Sequence, residues 1–300
     1  MRTAIGRRTA IAALGSVALA RPAVARVVPE ELALFDWTFD EAHPFVHRAM
    51  VLAPKHLAEG EKAPVLVLFH GLGEAKQGHA AGTFAWLDRY GLGSSYARLR
   101  KPPVASVEQR HDLESDRATA INAELAARPF AGLVLVCPFT PNVWSFRSSD
   151  DALDALTSFV TGALLERVTR EIPLANTARV GVDGCSLGGF VALETFARRP
   201  DRFATVGVVQ PAIAGRAIAR YADAIAAVAG KAPLGVHVES SKGDPYLPVS
   251  EKLAAALAAR SVAHDFLAPK GPHDQPFLRD VGTLEMLLWH DRALRRGSAP

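Results

Sequence analysis

Five residues, Gly184-Cys185-Ser186-Leu187-Gly188, end an apolar β-branched run and open a helical one. A serine placed at such a strand-to-helix turn stands clear of the backbone, where its hydroxyl can attack an electrophile. The flanking glycines have a steric reason, because a larger side chain at 184 or 188 would crowd the turn or the strand–helix contact. The helix that follows presents free N–H groups toward developing negative charge. A turn-forming serine without chemistry would satisfy the same five residues, so its partners decide.

A serine hydroxyl is a weak nucleophile until a base takes its proton. Of the ten histidines, His273 in PKGPHDQPF follows the last strand pattern and precedes the final helix, at a turn marked by Gly271 and Pro272. His237 and His264 fall within strand patterns, His290 in the final helix, and His43 and His47 ahead of the sheet. The carboxylate that orients the base is expected on a loop between serine and histidine. SSKGDPYLP puts Asp244 there, although Gly-Asp-Pro is also ordinary turn chemistry. Asp265 reads as part of the next strand, and Asp274 as a water-facing residue or a helix cap. An acyl oxyanion further needs two backbone N–H donors. Leu187, just after the serine, supplies one, and either Gly71 or Leu72 in His70-Gly71-Leu72-Gly73 supplies the other.

These residues need a frame that gathers loops from distant parts of the chain. APVLVLFH (63–70), LVLVCP (133–138), ARVGVDG (178–184), FATVGVVQP (203–211) and PLGVHVES (233–240) read as strands buried on both faces. FDWTF and PFVHRAMVLAP precede them, and the more polar AHDFLAP (263–269) reads as a strand near the sheet edge. Residues 150–170 place Leu153, Leu156, Val160, Leu164 and Val168 on one helical stripe, and residues 275–292 do so with Phe277, Val281, Leu284 and Leu288. The alternation predicts one α/β domain, a mostly parallel sheet with helices on both faces. Residues 74–132 exceed one crossover helix and read as a cap-like insertion over the strand ends, poor in core and suited to specificity. Trp86, Tyr90, Trp144, Phe146 and Tyr246 are the aromatic candidates for lining a substrate pocket, against the alternative of local packing.

The order Ser186, Asp244, His273 and the FHGLG, DGCSLGGFVAL, GDPYLP and GPHD segments resemble the α/β-hydrolases, most of all the compact bacterial serine esterases of the esterase D type, over roughly residues 62–292. The resemblance implies an acyl-enzyme on Ser186, with His273 as base, Asp244 as acid and no metal or organic cofactor. Cys185 departs from the His, Tyr, Asp or Glu most common before the serine. The family's strand order would set strand 63–70 between those of Cys137 and Cys185, leaving both as free thiols beyond disulfide reach. Thioesterase, peptidase and acyltransferase activities use the same machinery, and a non-catalytic binding protein on this fold is the alternative from another class.

Composition narrows the partners. The formal charge of +3 includes four arginines in residues 1–25, a stretch without acidic residues, so the rest of the chain is one charge negative and offers no basic field for nucleic acid. That stretch has an arginine-bearing start, a short apolar run and Ala23-Val24-Ala25, the grammar of a signal peptide for an exported protein, and the pair Arg7-Arg8 hints at the twin-arginine type. No run reaches the roughly 20 apolar residues of a membrane span. HGLGEAKQG lacks the Gly-Lys-Ser/Thr ending of a phosphate loop, and His70, His79 and His111 lack metal-ligand spacing. The partner expected is a small-molecule or lipid-like ester.

Overall fold

The computed structural model describes residues 26–39 and 48–296. The leader read in residues 1–25, together with His43 and His47, lies outside the described residues. Eight strands form one sheet: β1 (Leu32–Thr38), β2 (Arg48–Pro54), β3 (Ala63–Phe69), β4 (Val134–Pro138), β5 (Ala175–Gly184), β6 (Thr205–Val209), β7 (Gly235–Glu239) and β8 (Asp265–Leu267). Their order is β1-β2-β4-β3-β5-β6-β7-β8. The first two pairings, β1 with β2 and β2 with β4, are antiparallel and all later ones parallel.

Side chains of a strand alternate between the faces of a sheet. In β3, Val65, Val67 and Phe69 join one core, and Leu66 and Leu68 join the other. β4 does the same, with Val134 and Val136 against Leu135 and Cys137. Both faces are therefore apolar, which is why these strands read as unbroken hydrophobic runs. β3 lies between β4 and β5, and both cysteines are buried and free.

The helices, in chain order, are α1 (Leu72–Ala75), α2 (Gly78–Gly82), α3 (Ala85–Asp88), α4 (Leu92–Arg100), α5 (Ser115–Ala127), α6 (Ser149–Phe159), α7 (Leu165–Glu171), α8 (Leu187–Arg198), α9 (Ile218–Ala229), α10 (Leu247–Ala258), α11 (Gln275–Phe277) and α12 (Thr283–Arg295). One face of the sheet is covered by α6 to α10, the other by α3, α4, α5 and α12. The single stripe expected over 150–170 is two helices joined by a wide π turn, Val160–Leu164, where Gly162 leaves helical geometry at φ −107° and ψ −106°. Its five apolar residues all remain buried, so the bend relocates no core side chain. A second π turn, Leu278–Gly282, separates α11 from α12. Among the described residues no helix is long and apolar enough to cross a membrane.

The expectation that residues 74–132 hold little core is overturned. Phe84, Trp86, Leu92, Tyr96, Leu99, Ile121, Leu125 and Phe130 are all buried, in one cluster with Leu66 and Leu135 of the sheet and Leu284 and Leu287 of α12. Polar anchors hold the stretch to the C-terminal part of the chain. The fully buried Asp280 carboxylate accepts from Ser106 Oγ (2.8 Å), Val107 N (2.7 Å) and Leu113 N (2.9 Å), while Arg117 grips Glu285 through two 2.5 Å bonds. The sequence shows these residues as scattered apolar positions, because the partner helix α12 lies far later in the chain, Arg117 and Glu285 being 168 positions apart.

Candidate active site

β5 ends at Gly184, and the chain turns through Cys185 and Ser186 into α8. Ser186 sits at φ 56° and ψ −118°, a region that residues with side chains rarely occupy. Main-chain bonds fix the turn: Cys185 N to Phe69 O (3.2 Å), Ser186 N to Val209 O (3.0 Å) and Gly188 N to Cys185 O (2.7 Å). A side-chain carbon on Gly188 would overlap the Phe69 carbonyl, and one on Gly184 would overlap the Gly188 carbonyl. The two glycines are therefore required by close backbone approach.

Above this turn two loops converge. His273, from the loop after β8, has Nε2 3.0 Å from Ser186 Oγ and Nδ1 2.9 Å from Asp244 Oδ1. Asp244, from the loop after β7, also accepts from Ser240 Oγ at 2.6 Å and from Tyr246 N at 2.9 Å. Burial pushes the Asp244 carboxyl up, but the hydrogen bonds from His273, Ser240 and the Tyr246 amide outweigh it and hold it below the usual carboxylate range. An ionised Asp244 only accepts, so the His273 proton belongs on Nδ1 and leaves Nε2 free to accept from the serine. The three side chains picked out by loop placement are one hydrogen-bonded line.

The HGLG loop is equally constrained. His70 is buried, its Nε2 accepting from Thr140 N at 2.9 Å and its Nδ1 lying 3.0 Å from Gly71 O. Burial pushes its pKa down to about 4, so the ring is neutral and its Nδ1–H donates to Gly71 O. Gly71 N–H donates to the Tyr90 hydroxyl at 3.1 Å. In a trans peptide the N–H points opposite the C=O, so anchoring Gly71 O aims Leu72 N–H the other way. Of the two candidates left open by the sequence, Gly71 N–H is occupied and Leu72 N–H is available.

A cavity of about 230 Å³ opens on this group, lined by Leu72, Glu74, Tyr90, Ser186, His273 and Gln275 among others. Among the described residues no group of three or more His, Cys, Asp or Glu side chains is placed to hold a metal ion.

Known proteins share this fold. The Esterase family model, described as "Putative esterase", matches residues 143–291, from the loop after β4 through the elbow, Asp244 and His273 into α12. A ferulic acid esterase superposes with a TM-score of 0.60 at 16% identity, over 88% of this chain and 98% of that one. An S-formylglutathione hydrolase from Agrobacterium tumefaciens gives 0.58 at 18% identity, over 90% and 99%. The chain has the α/β-hydrolase fold. A fluorophosphonate-binding serine hydrolase of Staphylococcus aureus shares the fold at a TM-score of 0.51 and 14% identity, over 87% and 98%. No curated protein matches the sequence significantly. From the family match, the hydrolase is a carboxylic ester hydrolase.

The aromatic candidates divide. Tyr246 of the hydrolase stands against the His273 ring, with centroids 5.3 Å apart, beside the site. Trp86 is fully buried and packs edge-on to Tyr90 (5.1 Å between centroids), so it supports the pocket wall without forming it. Trp144 is half exposed and packs on Phe190 in a separate groove with Ala212 and Arg216. Asp274 is a cap, accepting from Phe277 N at 2.9 Å, and pairs with Arg110.

Sequence reasoning placed Tyr90 among the pocket aromatics, and the cavity wall includes it; it missed Glu74, Gln275 and Gln210. Tyr90 and Glu74 brace the HGLG loop, Gln275 reaches Glu74, and Gln210 reaches both Ser241 Oγ (2.8 Å) and Pro272 O (3.0 Å) from its position just after β6. Gln210 adopts φ 48°. The position of Gln210 at the carboxyl end of a parallel strand was a usable signal; for Glu74 and Gln275 no pattern in the sequence pointed to the site.

Proposed function

We propose that the hydrolase cleaves carboxylic esters through an acyl-enzyme on Ser186. The observation that carries this reading is the Ser186–His273–Asp244 line, with contacts of 3.0 and 2.9 Å. Ser186 Oγ attacks the acyl carbon as His273 Nε2 takes its proton, and ionised Asp244 holds the imidazole in the competent tautomer. The developing oxyanion lies between the N–H groups of Leu187 and Leu72, both without an acceptor among the described residues. His273 then protonates the leaving alcohol, and water, activated by the same imidazole, releases the acid.

A cavity of about 230 Å³ is smaller than the 300–1,000 Å³ typical of drug-sized ligands, which supports short acyl groups. The test is hydrolysis of p-nitrophenyl esters from acetate to decanoate by wild type and Ser186→Ala. The expected outcome is a preference for the short end and a loss on the order of a million-fold in the variant. Equal rates in the two proteins, with Ser186 unlabelled by a fluorophosphonate, would sink the reading. Thioester and amide substrates in the same panel separate esterase from thioesterase and peptidase activity. Export on the leader of residues 1–25 belongs to the same proposal, and protein recovered outside the cytoplasm with a new N-terminus near Arg26 is its expected signature.

A further inference from the structure

Glu74 lies on α1, in the wall of the cavity over Ser186, and is only 5% exposed. Its hydrogen bonds come from neutral donors. The Tyr90 hydroxyl donates to Oε2 and the Gln275 amide to Oε1 at 2.8 Å. Among the described residues no lysine or arginine pairs with it, unlike the buried carboxylates of Asp112, Glu194 and Glu285, each of which has an arginine. His70 is neutral, and burial raises both the Tyr90 hydroxyl and the Cys185 thiol, keeping them protonated.

A buried carboxylate is ordinarily matched by a cation, because removing it from water is costly otherwise. Here the open side of the carboxylate is the substrate cavity. Its distance from the chemistry is short: Oε2 and Ser186 Cβ lie 3.3 and 3.7 Å from one point beside Gly71, hence within 7.0 Å of each other. A positive group three or four bonds from the scissile carbonyl would reach it while that carbonyl sits at Ser186.

We propose that Glu74 is the specificity-determining counter-charge for a cationic substrate, so that the site selects short esters carrying an ammonium group. This rests on the ester-hydrolase reading of Ser186. The ammonium can belong to the acyl or the alcohol half, and two matched pairs of esters distinguish them. Phenyl β-alaninate against phenyl butanoate exchanges an ammonium for a methyl on the acyl side. Acetylcholine against 3,3-dimethylbutyl acetate exchanges a cationic nitrogen for carbon on the alcohol side.

The expected result for wild type is a kcat/KM at least tenfold higher for the cationic member of one pair, with that ratio falling toward one in Glu74→Gln. Neutral members hydrolysed as well as or better than cationic ones in both pairs, by an activity that Ser186→Ala abolishes, would overturn the proposal and leave the ester-hydrolase reading standing. No turnover of any member, with Ser186 unlabelled by a fluorophosphonate, would overturn both. Should Glu74→Gln fail to fold, ethylammonium is expected to inhibit phenyl butanoate hydrolysis by wild type competitively at concentrations where ethanol does not, and equal effects of the two would count against the proposal.

Discussion

At Ser186 the backbone is held at φ 56° and ψ −118°, a conformation costing about 1–3 kcal/mol, by main-chain bonds to Phe69 and Val209 on the two flanking strands. The neighbouring HGLG loop is fixed by similar means, through His70, Tyr90 and Thr140. The backbone here is amenable to a direct test, because Gly71 is extended at φ −75° and ψ 174° and Leu72 begins α1. Proline fits the first position of a helix, and an extended residue before it suits it further. Leu72→Pro is therefore expected to fold while deleting one oxyanion donor, lowering kcat about 100- to 1,000-fold with Tm little changed. A variant with unaltered kcat would move the donor back to Gly71. Ser186, Asp244 and His273 were legible because each sits on a loop with punctuation of its own. Glu74 and Gln275 carried no such mark: their meaning comes from a contact spanning 201 residues.

The elements that carry these loops were legible for a different reason. A strand buried on both faces is largely apolar, so β3, β4 and β6 announced themselves, as did the apolar stretches of β5 and β7, and the edge strand β8 was marked by its polarity. Helix interruptions were not legible, because a π turn preserves the apolar stripe on either side of it. Where α8 meets β3, the packing tolerates no atom beyond glycine. Gly188→Ala would drive a methyl into the Phe69 carbonyl, which belongs to the hydrogen bond that shapes the elbow. We expect that variant to be recovered, if soluble at all, with a Tm many degrees lower and without esterase activity; wild-type melting behaviour would contradict the closeness of the α8–β3 contact.

Across the whole molecule, buried charge is concentrated between the sheet and α12. Asp183 there accepts from His290 at 2.9 Å, and burial is outweighed by its histidine partners, which hold it ionised. Glu239 is the exception, fully buried with neither carboxylate oxygen hydrogen-bonded. Burial and the nearby Glu285 and Asp183 push its pKa well up, against the opposing pull of Arg117, and His237 lies 3.8 Å away. The folded protein therefore keeps a proton that the unfolded chain releases above the ordinary Glu range near pH 4.5. This group's contribution is complete below that pH and is lost as pH rises, at about 1.4 kcal/mol per unit, until Glu239 itself titrates. Glu239→Gln removes the dependence, so its Tm relative to wild type is expected to climb between pH 5 and 8. A constant difference would mean that Glu239 is ionised in the fold.

The dependence of residues 74–132 on α12 also bears on synthesis. Arg117 and its partner Glu285 are separated by 168 positions. At 5–20 residues per second, roughly ten to thirty seconds pass between the ribosome's making one and the other. During that interval β4 to β8 are still being made, and Trp86, Tyr96, Ile121 and their neighbours have no α12 to cover them. The nascent chain thus carries its largest exposed apolar surface until translation is nearly over, which makes it a client for chaperones during most of its making and places its hazard of aggregation before, and not after, release.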